Sequence, residues 1–141
     1  MARLAHNIPI DADPRKVYAA LATEKGMRGW WTRDTRMDAR VGGKADFGFE
    51  RRAVVFHMKI RSMKPGKSVR MVCTGGQAEW KGTTLEWKIA RQGKGSLLGF
   101  VHGGWRRLSP YAIGCNSMWG HLMFGLKRYV ESGRPGPQWK K

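Results

Sequence analysis

Cysteine is scarce in this chain. Cys73 and Cys115 are the only two, far apart in sequence. With no CxxC pair and no Cys/His ligand spacing, the usual zinc frameworks are excluded, and no metal or cofactor is expected. Two such thiols read as reduced core cysteines of a cytosolic protein. Long apolar runs are missing too. "MARLAHNIPIDADPRK" contains no apolar segment of signal-peptide length. Nothing approaches the roughly 20 apolar residues of a membrane-spanning helix, so a soluble, cytoplasmic protein is expected. Internal repeats and low-complexity tracts are absent. No Ser/His/Asp order or paired-carboxylate spacing stands out, which leaves little support for an enzyme. "GGQAEWKGTT" has the outline of a phosphate loop, but the Lys-Ser/Thr that must follow the second glycine is missing.

Positive charge is in excess: 27 lysines and arginines stand against 10 acids, a formal net of +17. Such a field attracts nucleic acid, acidic lipid surfaces, acidic proteins or anionic small molecules. It also serves solubility alone, and the basic residues are scattered from Arg3 to Lys141 without a long run. Tryptophan is the second excess, with seven in 141 residues. A single domain of this length must cover that apolar area or use it. Trp30 and Trp31 stand side by side near Arg28, Arg33 and Arg36. That pattern suits either a base-stacking platform or the rim of a hydrophobic pocket.

The order of elements is read from periodicity. Residues 3 to 10 alternate as a strand. Asp13 caps a helix that Pro14 opens, with Val17, Ala20 and Leu21 as its apolar stripe. Thr23 caps a short second helix from Glu24 to about Trp30. "TRDTRMDARVGGK" reads as irregular. A period of two then places Ala45, Phe47 and Phe49 on one face, followed by Phe56, Met58 and Ile60, then Val69, Met71 and Cys73. Leu85, Trp87 and Ile89 continue it, and Leu98, Phe100 and His102 end it. Cys115, Trp119, Leu122, Leu126 and Tyr129 return to a period of 3.6 in one long helix, stopped by Gly133 and Pro135. The prediction is an α+β fold: one strand, two short helices, five or six antiparallel strands and a long C-terminal helix covering the apolar face of the sheet. A single domain spans residues 1 to 137, and residues 138 to 141 form a flexible tail.

The stretches "IPIDADPRKVYAALAT", "GWWT", "EWKGTTLEWKI", "LLGFVHGGW" and "CNSMWGHLMFGLKRYVESGRPGP" resemble the START-like (SRPBCC) superfamily with its helix-grip fold. More narrowly they resemble the AHSA1-like bacterial branch related to the activator of Hsp90 ATPase. The resemblance runs from about Ile8 to Pro137. It implies a curved antiparallel sheet wrapped around the long helix, with a deep pocket between them. Members include ligand carriers, cyclases, co-chaperones and enzymes, so the resemblance fixes fold rather than function.

The strand and helix faces give the same pocket lining: Phe47, Phe49, Phe56, Met58, Met71, Trp87, Phe100, His102, Trp119 and Leu122. Of Trp30 and Trp31, one turns into the core and the other lies over the mouth, with the nearby arginines as a positive rim. His102 either orients a ligand or moves a proton, or is a structural histidine bonded within the core. Glu79 is expected in a surface salt bridge and Glu86 in solvent. His57, Lys59, Arg61, Arg70 and Lys88 alternate with the inward residues and form a cationic outer face, extended by Lys64 and Lys67. The reading that follows is a binder of a small hydrophobic or aromatic molecule, with an acidic group on it as an option that the positive field favours. The alternatives are a co-chaperone-like or nucleic-acid-associated module meeting an acidic partner through that face, and an enzyme using His102.

Overall fold

Asp13 accepts a hydrogen bond from the backbone N–H of Arg15, and Pro14 follows as the first residue of helix α1, Pro14–Ala22. Thr23 caps α2, Glu24–Trp30, by accepting from the N–H of Gly26 at 2.9 Å. The two short helices meet through Gly26. A Cβ there would lie 2.4 Å from the Ala19 carbonyl oxygen and 2.6 Å from the Ala20 Cα, so only glycine lets the backbones approach this closely.

The computed structural model describes residues 1 to 141. Strand β1, Ala2–Ile10, precedes the helices. After them come β2 (Asp34–Met37), β3 (Lys44–Phe49), β4 (Val54–Lys64), β5 (Ser68–Gly75), β6 (Thr84–Gln92) and β7 (Gly95–Trp105), then α3 (Pro110–Ser132). All seven strands form one antiparallel sheet in the order β1-β7-β6-β5-β4-β3-β2. This is the predicted α+β helix-grip architecture. Strand β2 is an addition, because its residues read as irregular. It is a short edge strand whose one fully buried side chain is polar: Thr35 donates its hydroxyl to the Thr32 carbonyl at 2.7 Å.

Helix α3 buries Ala112, Trp119, Leu122, Met123 and Leu126. It is fastened alongside β1: His6 Nε2 meets Asn116 Oδ1 at 2.9 Å, and Lys127 donates to the Pro9 carbonyl at 2.7 Å. Ser109 caps its N-terminus by accepting from Ala112 N–H, and Gly133 ends it at φ 73°. Thirty buried apolar residues form one continuous core.

The tail departs from the frayed segment expected at 138 to 141. Trp139 N–H donates to the Trp31 carbonyl at 3.2 Å, and Arg33 N–H donates to the Trp139 carbonyl at 2.9 Å. The Trp139 ring meets Phe49 edge-on with centroids 4.8 Å apart. A half-buried aromatic contact and two backbone bonds oppose the conformational entropy of the tail.

Candidate functional site

The deep gap expected between sheet and helix is filled by rings at its centre. Trp30 is buried and donates its indole N–H to the Ala20 carbonyl at 2.9 Å. It stacks on Trp31, centroids 5.8 Å apart, and meets Trp87 edge-on at 6.4 Å. Phe100 packs on Trp119 at 4.3 Å. Phe47, Met58 and Met71 are fully enclosed in the same core.

The open space lies at one end of this packing, where the N-terminal half of α3 faces the β3–β4 hairpin and the β5–β6 connection. There a cavity of about 580 Å³ is lined by 13 residues, 11 of them hydrophobic. Of the expected site residues, Trp31, Phe49, Phe56, Trp119 and Leu122 line it. Trp30, Phe47, Met58, Met71, Trp87, Phe100 and His102 do not. The six of these on strands point inward as their strand period requires, but the inner face of a sheet includes both packed core and cavity wall, and period alone does not separate the two. The paired tryptophans thus divide: Trp30 enters the core and Trp31 forms part of the cavity wall.

The rest of the lining comes from Val54, Gln77, Trp80, Tyr111, Gly114, Cys115, Met118 and Trp139. Trp80 had a signal in the excess of tryptophan. Tyr111, Cys115 and Met118 share a helical spacing with Trp119 and Leu122. Gln77 and Trp139 lie in a connection and a tail, where no period points inward. Val54 and Tyr111 are 40% and 38% exposed and mark the mouth. Cys115 is therefore a wall residue rather than a core thiol, whereas Cys73 is buried and donates weakly to the Gly75 carbonyl.

His102 sits behind this wall in a determined chain of hydrogen bonds. Thr83 donates its hydroxyl to the Trp80 carbonyl, so its oxygen accepts from His102 Nε2–H at 2.8 Å. Trp119 Nε1–H donates to His102 Nδ1 at 3.1 Å. Both ring nitrogens are used, and the ring is the neutral Nε2–H tautomer. Burial alone holds its pKa down at about 3. Both nitrogens are thus committed within the core, the arrangement expected of a structural histidine.

Charge is absent from the cavity wall. The expected arginine rim lies elsewhere: Arg28 and Arg33 join Lys25 and Lys140 around a separate groove, with Glu24 beside Arg28 at 3.5 Å, and Arg36 is exposed on β2. Glu79 forms no salt bridge. It accepts the hydroxyl of Ser109, the α3 cap, where a carboxylate also meets the positive end of the helix dipole. Glu86 is half-buried beside Lys88, 3.8 Å away.

The outer face of the sheet carries the cations. Lys44 pairs with Lys59 across β3 and β4. Lys64 and Lys88 flank Ser68 on either side, and Arg70 stands opposite Glu86. His57 meets Asp46 at 2.8 Å. Arg61 falls at a register shift but is also exposed. Only six of the 27 lysines and arginines pair with a carboxylate. No three His, Cys, Asp or Glu side chains converge as a metal would require. No helix is long and apolar enough to cross a membrane.

A family model described as activator of Hsp90 ATPase homolog 1-like protein matches residues 11–131. No curated protein matches the chain. Among solved structures, the Aha1 dimer from Colwellia psychrerythraea superposes with a TM-score of 0.85 at 29% identity, covering 94% of this chain and 98% of that one. Protein MLL2253 from Mesorhizobium loti gives 0.82 at 13% identity over 93% and 98%. Protein CV1439 from Chromobacterium violaceum gives 0.75 at 21% over 92% and 96%. The latter two speak to fold alone.

Proposed function

We propose, from the premise that this chain belongs to the activator of Hsp90 ATPase homolog 1-like family, that it binds a small hydrophobic or aromatic molecule in the cavity beside α3. The observation that carries this reading is the wall itself. A space of about 580 Å³ with 11 hydrophobic residues of 13 lies within the range of about 300–1,000 Å³ that ligand sites occupy. Aromatic rings supply most of that wall, which favours a flat or ring-bearing occupant. His102 offers the cavity no free nitrogen for acid–base work, because Thr83 and Trp119 take up both.

Gly114 gives a clean test. It lines the cavity, and a Cβ there would meet nothing within 4 Å. Gly114→Phe should fill the space while gaining about 0.5 kcal/mol of helix propensity over glycine. The expected result is an unchanged or higher Tm and loss of binding by N-phenyl-1-naphthylamine, read as fluorescence. Equal probe binding in both proteins would sink the reading.

A second reading has its own observation, the exposed cations of the outer sheet face. A co-chaperone-like module docking an acidic partner protein would use that face and leave the cavity aside. The similarity to the Aha1 structure is consistent with such a role, and nucleic acid is the competing occupant.

A further inference from the structure

The cavity wall is apolar except at one end. Trp80 is only 4% exposed, and its indole N–H has no hydrogen-bond partner. Trp87 and Trp105 also have unpartnered indoles, but neither lines the cavity. The Trp80 N–H, the Tyr111 hydroxyl and the Cys115 thiol lie close enough to perturb one another, and the Trp80 N–H completes no hydrogen bond. Gln77 joins them. Its Oε1 accepts from the backbone N–H groups of Glu79 and Trp80, which leaves its NH₂ as the end not tied to the backbone.

These four side chains are therefore hydrogen-bond donors gathered on one stretch of wall. Burial raises the Tyr111 phenol well above its ordinary value and the Cys115 thiol above its own, so both groups favour their protonated, hydrogen-bond-donating forms. A buried donor without an acceptor is costly, and an occupant that supplies an oxygen removes that cost. The charge of the occupant follows as well. No lining residue is cationic, and the Glu79 carboxylate is near enough to push Tyr111 and Cys115 further up. A carboxylate ligand would meet that negative charge with no positive group to offset it.

We propose that the cavity selects an uncharged ligand with an aromatic or alicyclic body and one accepting oxygen, a ketone or ester carbonyl, seated against Trp80 and Tyr111. The proposal rests on the cavity being a ligand site and narrows it to a chemical class. It also replaces the anionic ligand that the net charge of the chain favours.

Three probes of one shape separate the possibilities: 2-acetylnaphthalene, 2-isopropylnaphthalene and 2-naphthoate. Binding is measured by titration calorimetry on the intact protein, with Tyr111→Phe and Trp80→Phe variants checked for Tm. The expected result is a ketone-to-hydrocarbon affinity ratio that falls about 3- to 10-fold in each variant. Hydrocarbon affinity in Tyr111→Phe should hold within about two-fold, and 2-naphthoate should bind weakest of the three. The bound ketone's C=O stretch should lie lower than in cyclohexane, as a donated hydrogen bond requires. An unchanged ratio together with a cyclohexane-like stretch overturns this proposal but leaves the cavity a binding site. Tightest binding by 2-naphthoate overturns its neutrality. If none of the three binds, both this proposal and the ligand-binding reading fail.

Discussion

At the scale of single residues, His102 joins the core to the cavity wall. The chain runs from Trp119 N–H through both imidazole nitrogens to Thr83 and the Trp80 carbonyl, so it fixes two wall tryptophans at once. Protonating His102 would turn Nδ1 into a donor facing the Trp119 donor. The folded pKa of about 3 lies below the ordinary 6.5, so the unfolded chain binds this proton first as pH falls. The stability it contributes is complete above pH 6.5 and declines toward pH 3. The expected slope is about 1.4 kcal/mol per pH unit in the middle of that window. Urea denaturation between pH 7 and 4.5 checks it, since His102→Gln should show a slope shallower by about that amount. Ring ¹⁵N shifts should still report the neutral Nε2–H tautomer at pH 5. An imidazolium there would refute the hydrogen-bond chain.

At the scale of elements, the placing of α1 against α2 decides where Trp30 and Trp31 go. Gly26 permits that contact, and the atoms a Cβ would strike are backbone atoms that no rotamer change can move. Gly26→Ala should therefore cost about 1–3 kcal/mol by overpacking, despite alanine's better helix propensity. Chemical denaturation reads it directly, and a stabilised variant would show that α2 shifts freely. Much of this level was legible in the sequence. Asp13 and Thr23 announced both caps, the period-two faces announced five strands of the meander, and Gly133 announced the end of α3. Strand β2 was hidden because Thr35 buries a hydroxyl satisfied by Thr32, a bond no polarity pattern reveals. The site was legible only by half for a related reason. Phe47 and Phe49 share one face of β3, yet only Phe49 reaches the cavity. The depth of a residue along the sheet depends on what α2, α3 and the tail bring against it, and those contacts are distant in sequence. Trp139 is the clearest case, since a polar tail carries no period at all.

At the scale of the whole molecule, the question is whether +17 acts as a diffuse field or through one face. A diffuse field attracts any polyanion in proportion to total charge, wherever the cations lie. A docking face concentrates the loss on its own residues. Lys59, Arg70 and Lys88 lie on the outer sheet face, whereas Lys94, Arg106 and Arg107 are equally exposed beyond it. Neutralising either trio to glutamine removes the same charge. If the second reading holds, the sheet-face trio should weaken binding to polyglutamate or duplex DNA far more than the other trio. For DNA it should also flatten the salt dependence by roughly one phosphate equivalent per residue that touches the polymer. Whichever of the two polyanions binds more tightly at matched salt identifies the class of partner. Neither trio should alter the affinity of the naphthyl probes, because no cation lines the cavity. Equal losses from both trios would assign the charge to solubility and general attraction rather than to one docking face.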